Sequence, residues 1–214
     1  MFTYDLLKNH AGIVLCGDYS SLQSLYEVVH VVNEKSMLLE DKESWFLGLA
    51  FDVRKAYERQ RQVFQPPAHF PEKGTRYGVE ILWPVILLQC SMLRASLQTF
   101  DNTKLEQAMT YALEHIVLAA LDDDFGVQAK AIIESWQRID CRHPHPGQKL
   151  ISRGAVFCSW SKKQRREGLA GLLASLDPMY PTLFPIWERN GAKHLIAPDI
   201  LDSYEDADWV DPKW

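Results

Sequence analysis

The chain has 214 residues, 47% hydrophobic and 24% charged, with a net charge of −5. That length suits one large domain or one domain with an appendage. The negative balance supplies no global field toward nucleic acid or anionic lipid.

Phe2–Leu7 and Gly12–Cys16 are short apolar runs around Asn9-His10-Ala11-Gly12, a β-hairpin pattern. Ser20-x-x-Gln23 fits a capping box opening a helix with the stripe Leu22, Leu25, Val29, Val32. A second helix is expected from Lys42 to Phe64, with Phe46, Leu49, Val53, Ala56 and Phe64 inward. The proline-rich Gln65–Thr75 follows as a loop.

Tyr77–Phe100, YGVEILWPVILLQCSMLRASLQTF, is apolar on nearly every side of a helix. Such a helix must be wrapped by other elements. Its unbroken apolar run, Ile81–Leu88, is too short for a membrane span, which needs roughly 20 residues. A central helix over about 78–100 is therefore expected.

Thr103-x-x-Glu106 caps a further helix with Leu105, Met109, Ala112, Leu113 and Ile116 on one face. Asp122-Asp123-Asp124 suit the N-terminus of another, ending near Arg138. Cys141–Gln148, CRHPHPGQ, breaks the pattern and divides a core domain (1–140) from a C-terminal helical extension (149–214). Ala155–Trp160 reads as a strand, and Ser161-x-x-Gln164 caps a helix through Leu169, Leu172, Leu173 and Leu176. One short helix ending at Gly191 and an irregular tail complete the chain. The fold class is α+β, predominantly helical.

Four groups of residues bear on function. Cys16 stands at a strand end just before a helix, where a thiol can be activated if His30 or His115 approaches as base. Cys141, His143 and His145 alternate along a Pro-extended segment, so with Cys158 they could surround a Zn²⁺ ion. The CxxC and HxxxH spacings of zinc knuckles are missing, however, and no cofactor is expected. Lys149, Arg153, Lys162, Lys163, Arg165 and Arg166 against Glu167 make 149–170 a +5 block, and six carboxylates against Lys213 make 199–214 a −5 block. The basic block, with Trp160, could hold a nucleic acid. The favoured arrangement folds the acidic tail back over it, in this chain or a neighbouring one, anchored by Trp209 and Trp214. Finally, Glu80, Ser91, Arg94 and Gln98 form a polar stripe on the apolar helix, facing either ion-pair partners or a cleft.

No Walker A loop, GxGxxG, GxSxG or HExxH occurs. Widely spaced Cys16, Cys90, Cys141 and Cys158 form no disulfide framework, and the opening MFTYDLLKNH lacks the regions of a signal peptide. A reducing cytoplasm is the expected location. GIVLCGDYSSLQSLYEVVH, LGLAFDVRKAYERQR and YGVEILWPVILLQCSMLR resemble an uncharacterised bacterial family known only as a domain of unknown function. The resemblance covers roughly residues 10–140, implies a bacterial cytoplasmic protein, and brings no activity or site residue. The leading expectation is a non-enzymatic protein acting through a protein partner or self-association, possible homodimer included, in defence, immunity or a similar accessory role. An enzyme using Cys16 or the Cys/His cluster is one alternative. Nucleic-acid binding through 149–166 is the other.

Overall fold

The computed structural model describes residues 1–211; Trp214 lies outside the described residues. Strands β1 (Thr3–Leu6), β2 (Gly12–Gly17), β3 (Gln62–Phe64) and β4 (Arg76–Leu82) form an antiparallel sheet in the order β1-β2-β4-β3. On its inner face Ile13 pairs with Ile81 and Leu15 with Val79, and all four are buried in the core. Helices α1 (Tyr19–Lys35) and α2 (Gly48–Tyr57) pack together beside this sheet. The stripe Leu22, Leu25, Val29, Val32 is buried as its spacing requires. The cap of α1 is Asp18, whose carboxylate accepts from the Ser21 N–H at 2.8 Å, in place of the expected box at Ser20.

The apolar segment divides in two. Tyr77, Val79 and Ile81 alternate inward on β4, a period of two that overrides the helical reading of 77–82. Helix α3 (Trp83–Ser96) follows without a loop, Pro84 serving its first turn. It carries ten buried residues and is the centre around which α4 (Lys104–Phe125), α5 (Ala129–Gln137) and α6 (His145–Ser159) pack. The Lys42–Phe64 helix is likewise shorter than expected. It ends at Tyr57, Arg59 takes φ of 63°, and Gln62–Phe64 pairs with β4.

Thr103 and Glu106 form the expected capping box of α4. The face of α4 is rotated from expectation: Leu113, Val117, Ala120 and Leu121 are buried, whereas Leu105 is exposed. Asp122–Asp124 occupy the last turn of α4, where the helix dipole opposes them. Donors from other elements offset this. Asp124 accepts from the Trp83 indole N–H at 2.9 Å and lies 2.8 Å from His10 Nδ1, and the Tyr4 hydroxyl donates to Asp123.

Ala155–Ser159 of the expected strand is helical, with Trp160 its extended C-cap. It belongs to α6, which is buried on all sides from Ser152 to Cys158, and such a run has no visible helical period. Helix α7 (Lys162–Ala174) has the expected Ser161–Gln164 box, and α8 (Tyr180–Arg189) ends just before Gly191. The tail contains one further short helix, α9 (Pro198–Asp202). One hydrophobic core runs from Phe2 to Leu201, with Leu150, Phe157, Leu169 and Leu172 in it. Among the described residues no helix is long and apolar enough to cross a membrane.

The rotation of α4 has a measurable consequence. Leu113→Ala should destabilise the fold by about 2–5 kcal/mol, because Leu113 is fully buried. Leu105→Ala should stay within about 0.5 kcal/mol. Urea unfolding of the two variants checks the difference.

Candidate functional site

Cys16 does lie just before α1, but its surroundings keep the thiol inert. It is buried on the outer sheet face with Val14 and Phe64, all three gathered over Gly78. Its Sγ–H points to Val14 O at 3.6 Å. Burial pushes its pKa up to about 11, with Asp5 adding to the effect and Arg76 opposing it. At the start of α1 the Ser21 N–H is already taken by the Asp18 carboxylate. His30 is exposed on α1, stacked on Tyr26 at 4.4 Å, about 16 Å beyond the start of the helix. His115 is exposed on α4.

Cys141, His143, His145 and Cys158 do not surround a common point. His145 begins α6 and Cys158 lies thirteen residues further on, about 20 Å along the axis. His143 uses Nδ1 to accept the His145 backbone N–H at 3.0 Å, and the two rings stand 6.1 Å apart. Burial foremost, with Arg153 and Lys149, lowers the pKa of His145. Burial raises the Cys141 thiol to about 12 and the Cys158 thiol to about 11. Among the described residues no three His, Cys, Asp or Glu side chains converge to hold a metal ion.

The basic block is largely consumed within the fold. Arg165 is fully buried and donates to Phe157 O and Cys158 O at 3.2 and 3.1 Å, closing the C-terminal end of α6. Arg153, also buried, donates to Ser175 Oγ, Ser175 O and Ser152 Oγ. Arg166 donates to Gln128 at 3.0 Å, and Lys149 pairs with Glu205 of the tail. Lys162 and Lys163 stay exposed. The tail thus folds back on its own chain. Its anchor is Trp209, whose indole N–H donates to Ile151 O at 2.8 Å while the ring lies on Gly154. A Cβ at Gly154 would stand 2.1 Å from Trp209 Cζ2, so only glycine leaves room there. Two turns earlier Trp45 lies on Gly147 in the same way.

Of the polar stripe, Ser91, Arg94 and Gln98 remain together on and just beyond α3. Glu80 does not join them. It projects from β4 and accepts from Gln62 at 2.7 Å. The three face a cleft of about 360 Å³, closed on its other sides by Glu114 of α4 and by residues 136–142. Arg94 lies over the Tyr111 ring, Cζ to ring centre 4.1 Å, with Glu114 3.5 Å from Nη1. Sequence reasoning missed Glu114, Arg138, Asp140 and Arg142. Their approach to α3 depends on how α4 and α5 pack, and no local pattern encodes it.

Two outcomes follow. At pH 7.5 all four cysteines, which are free and buried, should alkylate slowly in the native protein and promptly after denaturation, as mass spectrometry would show. Gly154→Ala should expel Trp209, so that limited chymotrypsin digestion removes the tail several times faster than in wild type.

Residues 2–209 match the model of a family described as a domain of unknown function, DUF6904. The match extends past the 10–140 of the sequence resemblance and takes in the C-terminal helices. No curated protein and no solved structure matches the chain. Because the family model covers nearly its whole length, the chain belongs to the DUF6904 family.

Proposed function

We propose that this protein acts by binding another protein, through the face that α6, α9 and the C-terminal segment build. The observation that carries the reading is a group of exposed apolar side chains. Ile151, Trp209 and Val210 are 57, 40 and 55% exposed, and Ile200, on α9 packed against α6, is 49% exposed. Single exposed apolar residues need no explanation, but a contiguous group with a polar rim marks an interaction surface. Here the rim is acidic. Asp199, Asp202, Asp206, Asp208 and Asp211 are exposed and form no ion pair among the described residues.

Charge complementarity favours a basic partner. A second copy meeting this face through a two-fold axis would bring the carboxylates of one rim against those of the other. The same carboxylates repel nucleic acid, and Arg153 and Arg165 of the basic block are engaged inside the fold. A bacterial cytoplasm suits four free thiols, and an acidic binder of a basic protein suits a defence, immunity or accessory role.

The double variant Ile151→Glu/Val210→Glu should keep the native circular dichroism and lose a stoichiometric basic partner that wild type retains on purification from its host. Retention of the partner by this variant, or stable self-association of wild type through this face, would overturn the reading. So would wild type that holds no partner.

A further inference from the structure

The cleft beside α3 has the makings of a ligand site distinct from the protein-binding face. Cys90 and Cys141 line the cleft, and burial raises the pKa of both thiols well above neutrality. Its walls carry three guanidinium groups, Arg94, Arg138 and Arg142, against two carboxylates, Glu114 and Asp140. The pairing among them is uneven. Arg142 is bound to Asp140 through two N–H groups, at 2.8 and 3.1 Å. Among the described residues Arg94 has one ion-pair partner, Glu114 at 3.5 Å. Its Nη1 is buried and makes no hydrogen bond. Arg138 forms no ion pair among the described residues.

Backbone carbonyls at the helix ends beside the cleft are already engaged. The carbonyls of Leu93, Ala95 and Ser96 at the end of α3 accept from Leu97, Gln98 and Thr99. Those of Ser135 and Trp136 on α5 accept from Arg138 and Ile139. The unmet donor capacity in the cleft centres on two guanidinium groups, Arg94 and Arg138. The walls are also held in place. The Trp136 indole N–H donates to Leu87 O at 2.7 Å, tying α5 to α3, and Tyr111 stacks under Arg94. Donors fixed before a ligand arrives lose little freedom on binding.

We infer that this cleft binds a small organic anion, its carboxylate or phosphate oxygens taken by Arg94 and Arg138. Planar guanidinium groups match these oxyanions through paired N–H donors. A volume near 360 Å³ falls at the small end of ligand sites, which suits a metabolite and not a polymer. Glu114 is the built-in competitor: a bound oxyanion would displace it from Arg94.

The test uses the full chain with succinate and inorganic phosphate as probes, at constant ionic strength. The unfolding temperature of wild type should rise with probe concentration, since a ligand bound only by the folded state stabilises it. A response to succinate alone identifies a carboxylate site, and one to phosphate alone a phosphate site; either supports the inference. Arg138→Gln should leave the unliganded unfolding temperature unchanged and weaken probe binding about tenfold or more by calorimetry. Glu114→Gln should strengthen it severalfold by freeing Arg94. No response of wild type to either probe at millimolar concentration would overturn the inference. An equal response in Arg138→Gln, or one reproduced by chloride, would also overturn it.

Discussion

Trp83 is the joint on which the fold turns. It is the first residue of α3, it follows β4 directly, and it is fully buried. Its backbone N–H donates to Ala11 O in the hairpin at 3.0 Å, and its indole N–H donates to Asp124 at the end of α4. Asp124 in turn contacts His10 of the hairpin loop. Sheet, central helix and α4 therefore meet at one side chain. A large ring with a single N–H can be buried there because a partner satisfies that N–H. The carboxylate, unfavourable at a helix C-terminus, is held because it collects donors from two other elements.

The C-terminal third attaches by a different device. Helix α6 presents Gly147 and Gly154, seven residues apart and so on one face. A tryptophan lies on each, one from before α2 and one from the tail. Flat aromatic contact on bare backbone joins segments distant in sequence without requiring long apolar side chains on α6. The charge segregation so visible in the sequence has a smaller part. Arg153 and Arg165 spend their charge on backbone carbonyls and serines, and one exposed pair, Lys149 with Glu205, links basic block to acidic tail. A pair of that kind contributes under about 1 kcal/mol. The remaining tail aspartates, Asp199, Asp202, Asp206, Asp208 and Asp211, stay exposed.

Helical spacing placed Ser91, Arg94 and Gln98 on one line, and they do share the wall of a cleft. Glu80 was grouped with them by the same arithmetic, but the arithmetic assumes an unbroken helix. The alternation of Tyr77, Val79 and Ile81 was the local sign of a strand; it was masked because the run continues into a helix buried on every side. The opposite walls came from α4 and from residues 136–142, whose approach to α3 no spacing rule encodes.

By itself the sequence determined what depends on neighbours in the chain. The capping boxes at Thr103 and Ser161, the buried stripe of α1 and the hairpin all follow from bonds that close within a few residues. The predominantly helical α+β class follows from the same local terms. Tertiary structure decided what depends on packing between distant segments. It divided Tyr77–Phe100 into strand and helix, because β2 offered a pairing edge to residues 77–82. It made Ala155–Ser159 helical, because that part of α6 is enclosed and has no polar face to reveal its period. It parted His145 from Cys158 along one rigid helix, and it brought Glu114 and Arg138 to the Arg94 stripe. Burial and close approach are properties of the assembled core, and they settle which side chains face a site.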